Sequence, residues 1–180
     1  MDLGAPVIAD LYRLAVDRCI PDGLYLEFGV ASGRSLRRLR SLIPKQQMLY
    51  GFDSFEGLPE PWNGFPVGSF KTSVRPCFTN TELVVGRFED TVWRFAREHP
   101  QHVSLMHIDC DLYSSTKTVL WGFKDQIVPG TVAVFDELFG YSGFEQHECK
   151  ALVEFVRDTG KQFKVIGRWN AYRAVIQFEG

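Results

Sequence analysis

Apolar runs recur along the chain at about Leu24–Val30, Met48–Asp53, Glu82–Gly86, Val103–Asp109, Thr131–Asp136, Phe163–Arg168 and Tyr172–Phe178. Between most of them, at Ser35–Ile43, Asp90–His99, Ser115–Ile127 and Glu145–Thr159, apolar residues return at helical spacing. Strand alternating with helix predicts a largely parallel sheet covered on both faces. The last two runs are separated only by Trp169-Asn170-Ala171, too short for a crossover helix, so they must form an antiparallel hairpin. These constraints together predict an α/β, Rossmann-like architecture: a seven-stranded, mostly parallel sheet that ends in a hairpin, with helices on both faces.

At 180 residues the chain fits a single domain, 1–180, with a core large enough to need no staples. A first helix is expected over about Pro6 to Arg18, stopped by Pro21-Asp22-Gly23. One segment breaks the rhythm: 54–80 carries Gly57, Pro59, Pro61, Gly64, Pro66, Gly68 and Pro76 together with Phe55, Trp62, Phe65 and Phe70. A loop this long and this aromatic reads either as a lid over a binding site or as cover for a sheet edge.

Lys and Arg total 20 against 22 for Asp and Glu, so no positive excess points to nucleic acid or to an anionic membrane. Arg34, Arg37, Arg38 and Arg40 read as the solvated face of one helix. Cys19, Cys77, Cys110 and Cys149 have neither paired nor metal-ligand spacing and read as reduced thiols. With no secretory or membrane-length apolar segment, the expected location is the cytoplasm.

The chemistry concentrates at strand ends. Leu26-Glu27-Phe28-Gly29-Val30-Ala31-Ser32-Gly33-Arg34-Ser35 is a strand, a glycine turn and a helix start. Glycines there allow a tight turn and close approach of backbone N–H groups to a ligand. Asp53, with Ser54 beside it, ends the next strand, where an acid can hold both hydroxyls of a ribose. The dinucleotide pattern G-x-G-x-x-G is absent, since Ala31 replaces its second glycine. Glu27 points instead to the ammonium group of S-adenosylmethionine. Gly86, Phe88 and Glu89 follow the third strand, where adenine would lodge; Asp90 or Thr91 can equally serve as a helix cap.

Asp109, Asp136 and Glu137 end adjacent strands, so their carboxylates can converge and would repel unless a cation or protons neutralised them. An all-oxygen set suits Mg²⁺; carboxylates that merely touch cofactor or substrate are the other reading. His107 reads as a packed strand histidine and Lys117 as a surface residue. His147, at a helix start, is either a base or substrate ligand or a surface position.

The blocks LEFGVASGRS, GFDSFEGLPEPW, VVGRFEDT, HIDCDLYSST and PGTVAVFDE resemble the macrocin O-methyltransferase family, over nearly the whole chain from Leu24. The resemblance implies a class I methyltransferase fold and dependence on S-adenosylmethionine and Mg²⁺. It implies cofactor contacts from Glu27, Gly29, Ser32, Asp53 and the Gly86–Glu89 turn, which includes Phe88, and metal ligation by Asp109, Asp136 and Glu137; Gly33, Ser54 and Asp109 are further candidate cofactor contacts. Glu137 departs from the aspartate more usual in the family, which keeps the charge and lengthens one ligand.

The expected reaction is O-methylation of a small hydroxylated molecule, with Asp109, His147 or a metal-bound water taking the proton. A metal-independent methyltransferase and a noncatalytic binding protein that keeps the fold are the alternatives. Nucleic acid and membrane are not expected partners, and self-association as a homo-oligomer is left open.

Overall fold

The computed structural model describes residues 10–180, so residues 6–9 of the expected first helix lie outside the described residues. The elements are α1 (Leu11–Arg18), β1 (Leu24–Phe28), α2 (Arg34–Leu42), β2 (Leu49–Asp53), β3 (Thr81–Val85), α3 (Phe88–Glu98), β4 (Val103–Ile108), α4 (Tyr113–Gly122), β5 (Val132–Phe135), α5 (Glu148–Thr159), β6 (Gln162–Trp169) and β7 (Arg173–Glu179). The strands form one seven-stranded sheet in the order β3-β2-β1-β4-β5-β7-β6. The first five are parallel, and β7 runs antiparallel to both β5 and β6. This is the Rossmann-like methyltransferase fold that the alternation and the hairpin predict.

Alternation along the strands sorts the side chains onto two faces. Tyr25, Leu49, Leu105, Val132, Val134 and Val175 meet Leu11 and Ala15 of α1 and Leu36 and Leu39 of α2. Leu26, Phe28, Phe52, Met106, Ile108, Phe135 and Ile176 meet Val92 and Phe95 of α3, Val119 and Leu120 of α4 and Phe155 of α5. Phe28 stacks on Phe52 at 4.7 Å between ring centroids, and Phe123 packs against both. Each such ring contributes about 1.5–3 kcal/mol by burial.

Element ends differ from the spacing where local chemistry intervenes. Helix α3 begins at Phe88 rather than Asp90, because Arg87 takes the cap position and Thr91 Oγ donates back to its carbonyl at 2.9 Å. The fifth helical segment is split: a 3-10 turn covers Phe144–Gln146, His147 breaks it at φ −113° and ψ −128°, and α5 starts at Glu148.

Segment 54–80 contains no helix or strand, only an isolated bridge between Trp62 and Phe65. Phe55 joins the α1/α2 core, while Leu58 and Trp62 form a small cluster of their own with Leu112. The far end is tied down by Arg40, whose guanidinium donates to the carbonyls of Gln47, Asn80, Ile43 and Pro44. None of the described helices is long and apolar enough to cross a membrane.

Candidate active site

The carboxyl ends of the parallel strands open onto a cavity of about 800 Å³. Its wall includes Gly29, Ser32, Asp53, Ser54, Gly86, Phe88, Glu89, Asp109 and Glu137 of the residues expected from sequence. Glu27, Gly33, Asp136 and His147 are not on that wall.

Asp53 organises the turn after β1. Its Oδ2 accepts from the Val30 and Ala31 N–H groups at 2.9 and 2.7 Å, and its Oδ1 from Phe55 N–H at 2.7 Å. That grip holds Ala31 at φ 44°, in the left-handed region that costs an L-residue about 1–2 kcal/mol. The two glycines also allow close packing. A Cβ on Gly29 (φ 91°) would lie 1.8 Å from the Asp109 carbonyl oxygen, and one on Gly33 (φ 79°) would lie 2.5 Å from Pro76. Between them, Val30, Ala31 and Ser32 face the cavity.

Glu27 lies one layer below. It is fully buried, its Oε1 accepts from Ser35 Oγ and sits 3.3 Å from His107 Nδ1, and its Oε2 has no partner. Register explains the meeting, because Glu27 and His107 are opposite one another on β1 and β4. The other ring nitrogen of His107 lies 3.3 Å from the Tyr12 hydroxyl and 3.9 Å from Asp136 Oδ1. Burial works against charge on this ring, but Tyr12, Asp136 and Glu27 outweigh it and hold its pKa well above the usual value. His107 is packed, as its place in the strand suggests, and it also bridges two acids. Tyr12 carries this network to the cavity wall.

At the opposite end, oxygens of Asp109, Asp111 and Glu137 lie within 4.8 Å of one another, and His107, Asp109 and Asp136 form a second such group. Asp111 is held at φ 62°, with Leu112 N–H donating to the Cys110 carbonyl across it. Burial, then the charges of Asp136 and other neighbours, push Asp109 up to about 8. The same causes push Glu137 up to about 10, and burial takes Asp111 to about 6. Behind them the fully buried Glu148 accepts from Cys110 N–H at 3.5 Å, and burial drives its pKa well above the usual range. Asp136 goes the other way: burial would raise it, but His107 and Arg173 hold it below its ordinary value.

Glu137 Oε2 is buried without a partner. An unpartnered oxygen beside two more carboxyl groups is a donor set that fits a hard divalent cation. His147 stands outside this arrangement, stacked on Tyr141 at 6.2 Å and edge-on to Trp62 at 6.3 Å. Arg173 and Tyr12 are wall residues that sequence reasoning missed. The hairpin carried the signal for Arg173, since a strand returning antiparallel beside β5 must start next to the acids that end it.

The sequence profile of the family described as "Methyltransferase domain" matches residues 26–138. No curated protein matches the chain. Among solved structures, the calicheamicin methyltransferase CalS11 is similar at 25% identity and a TM-score of 0.71, over 93% of this chain and 75% of its own. The O-methyltransferase NovP shares the fold at 18% identity and a TM-score of 0.63, over 94% of this chain and 78% of its own. MycE, a methyltransferase of mycinamycin biosynthesis in complex with Mg and SAH, shares it at 15% identity and a TM-score of 0.61, over 93% of this chain and 48% of its own. The matched family profile runs from the first strand through the acids after the fifth, and on that ground the chain belongs to the methyltransferase-domain family.

Proposed function

We propose that this chain moves a methyl group from S-adenosylmethionine to a hydroxyl oxygen of a small molecule, in the manner of the macrocin-type sugar O-methyltransferases that its motifs resemble. One observation carries the reading: the glycine turn, Asp53 and Phe88 share a cavity with Asp109, Asp111 and Glu137. Cofactor-type wall and acidic end are joined directly where Gly29 packs on the Asp109 backbone.

S-adenosylmethionine supplies an electrophilic methyl on a sulfonium; the protein's task is alignment, which is worth about 7–11 kcal/mol when reactants are held in line. Asp53 and the Val30–Ser32 turn hold the ribose side, Phe88 and Glu89 the base, and Glu27, acting through Ser35 and His107, the methionyl end. Asp109 and Glu137, whose oxygens lie within 4.8 Å of each other and of Asp111, would hold Mg²⁺, with Asp136 as a further ligand once free of Arg173, and the ion would favour the alkoxide form of an acceptor hydroxyl. Asp111 lines the cavity beside Asp109 and Glu137 and is the carboxylate placed to accept the hydroxyl proton. His147 packs against Trp62 and Tyr141 and is not among the wall residues.

The rim supports a ring-shaped acceptor. Trp62 and Phe65 are stacked at 5.9 Å and Phe70 leans on Phe65 at 4.9 Å, giving a flat apolar face above the acids. CalS11 is a TDP-rhamnose 3'-O-methyltransferase, and a sugar ring suits such a face here too.

Calorimetry of S-adenosylmethionine and S-adenosylhomocysteine, with Mg²⁺ and with EDTA, tests the cofactor reading on the wild type and Phe88→Ala. Micromolar binding weakened in the variant supports it. No binding in any condition removes it. Mass spectrometry across hydroxylated acceptors then looks for a product heavier by one methylene.

A further inference from the structure

Asp136 and Arg173 meet because of strand register. Phe135 pairs with Ala174 across the antiparallel β5–β7 ladder, so the next position outward sets Asp136 beside Arg173. Nη2 of the guanidinium donates to Oδ2 at 2.8 Å, and Nε lies 2.6 Å from Oδ1 as an ion-pair contact, although Oδ1 accepts no aligned hydrogen bond. A charge-assisted hydrogen bond of this kind is roughly twice as strong as one between neutral groups. Asp136 is 7% exposed, and its Oδ1 also lies 3.9 Å from His107 Nε2.

That same carboxylate is grouped with Asp109 and His107, and once free of Arg173 it would join Asp109 and Glu137 around an ion. A divalent ion on the same carboxylate would stand beside the guanidinium, and repulsion between the two cations favours withdrawal of one. Asp136 belongs to a short strand end and is held in place; Arg173 is at the end of a long side chain that is one-third exposed. Room for it exists. Arg173 borders, besides the main cavity, a second cavity of about 280 Å³ walled by Tyr12, Val134 and Trp169. The Trp169 ring centroid is already 5.1 Å from the guanidinium carbon, close enough for a cation–π contact.

We propose that Arg173 is an internal cation that occupies Asp136 while no divalent ion is bound, and that the ion displaces it onto the Trp169 face and into the adjoining cavity. The inference rests on reading Asp136 as a cation ligand. Arg173 thereby sets a threshold. Ions that cannot outcompete the guanidinium leave the site closed, and filling the site releases a positive charge toward the cavity.

The test is Mn²⁺ binding, read from loss of the free-ion EPR signal, on wild type, Arg173→Gln, Asp136→Asn and the double variant. Arg173→Gln is expected to bind about tenfold more tightly, because a competing charge has gone. Asp136→Asn should weaken binding, and in the double variant the gain should vanish. Arg173→Lys keeps a charge on β7 without the guanidinium and should give a smaller gain, which guards against misfolding of the glutamine variant. Wild type that binds Mn²⁺ while Arg173→Gln binds equally or less tightly overturns the competition alone. A gain that survives Asp136→Asn also overturns it, since Arg173 would then act only through its distant charge. No binding by any of the proteins overturns the metal reading and this inference with it.

Discussion

Gly29 and Asp109 are packed so closely that a single added carbon on the first would sit 1.8 Å from the carbonyl oxygen of the second. The contact is backbone to backbone, so no rotamer change can relieve it, and Gly29 is also at φ 91°. The turn and the acidic strand end are therefore one mechanical unit.

Gly29→Ala should cost about 3 kcal/mol or more, combining a forbidden dihedral with a backbone clash. Gly64→Ala is the matched control: φ is 86°, but nothing lies within 4 Å of the added carbon. Only the dihedral cost, about 1 kcal/mol, should appear there. Urea unfolding of both variants checks the difference, and equal losses would mean that the Gly29 contact is not rigid.

Asp53→Asn should lower both stability and cofactor affinity. The carboxylate accepts three backbone N–H groups, from Val30, Ala31 and Phe55. In either orientation the amide presents an N–H₂ to at least one of them, an unmade bond worth about 1–3 kcal/mol. S-adenosylhomocysteine should bind roughly ten- to a hundredfold more weakly, matching that cost. Calorimetry beside urea unfolding measures the two; cofactor affinity that stays intact would separate Asp53 from the ribose.

The sheet, the hairpin and the places of Asp53, Asp109 and Glu137 were legible because period, punctuation and strand ends are local properties of a sequence. What the side chains do once there was less so. Asp136 follows β5 as directly as Glu137 does, yet it turns to Arg173 while Glu137 faces the cavity. Choosing between the two needs the β5–β7 register, which a sequence leaves open by a residue. Glu27 and Asp53 look equally exposed to a ligand in the glycine motif. The structure buries Glu27 under Ser35 and His107, because its parity on β1 sends it to the α1/α2 face. Tyr12 gave no signal beyond its helix, since its importance comes from a histidine far along the chain.

Asp111→Asn should reduce kcat by about a hundredfold or more, the usual worth of a positioned base. Cofactor affinity should hardly move, since Asp111 stands at the acidic end of the cavity. Steady-state product formation at saturating substrates, beside calorimetry with S-adenosylhomocysteine, separates the two effects. A loss confined to KM would make Asp111 a binding residue only.

Trp62→Ala should free the middle of the 54–80 loop without unfolding the domain. Trp62 packs with Leu58 and Leu112 and edge-on to Tyr141, apart from both main cores. The loop's two ends keep independent anchors at Phe55 and Arg40. Limited proteolysis should cut the variant faster near Lys71 or Arg75, with a shift in Tm of only a few degrees. A large loss of Tm would place Trp62 in the global folding unit.

The acidic site fixes the sign of the pH dependence. Asp109 at about 8, Glu137 at about 10 and Asp111 at about 6 all keep protons in the folded chain that an unfolded chain has released. From about pH 4, where unfolded carboxyls ionise, the folded state binds more protons, so its stability falls as pH rises. His107 acts in the same direction, because its raised pKa contributes stability below the unfolded value and loses it as pH climbs through the folded one. Asp136 is opposite, with a lowered pKa whose contribution is present above its ordinary value and lost only on acidification. In EDTA, Tm is therefore expected to decline from about pH 5 to about pH 9. Mg²⁺ should flatten that slope, because an ion that binds carboxylates replaces the protons they held. Scanning calorimetry across the series measures both; a Tm that rises with pH in EDTA would show that these carboxyls do not hold protons in the folded free protein.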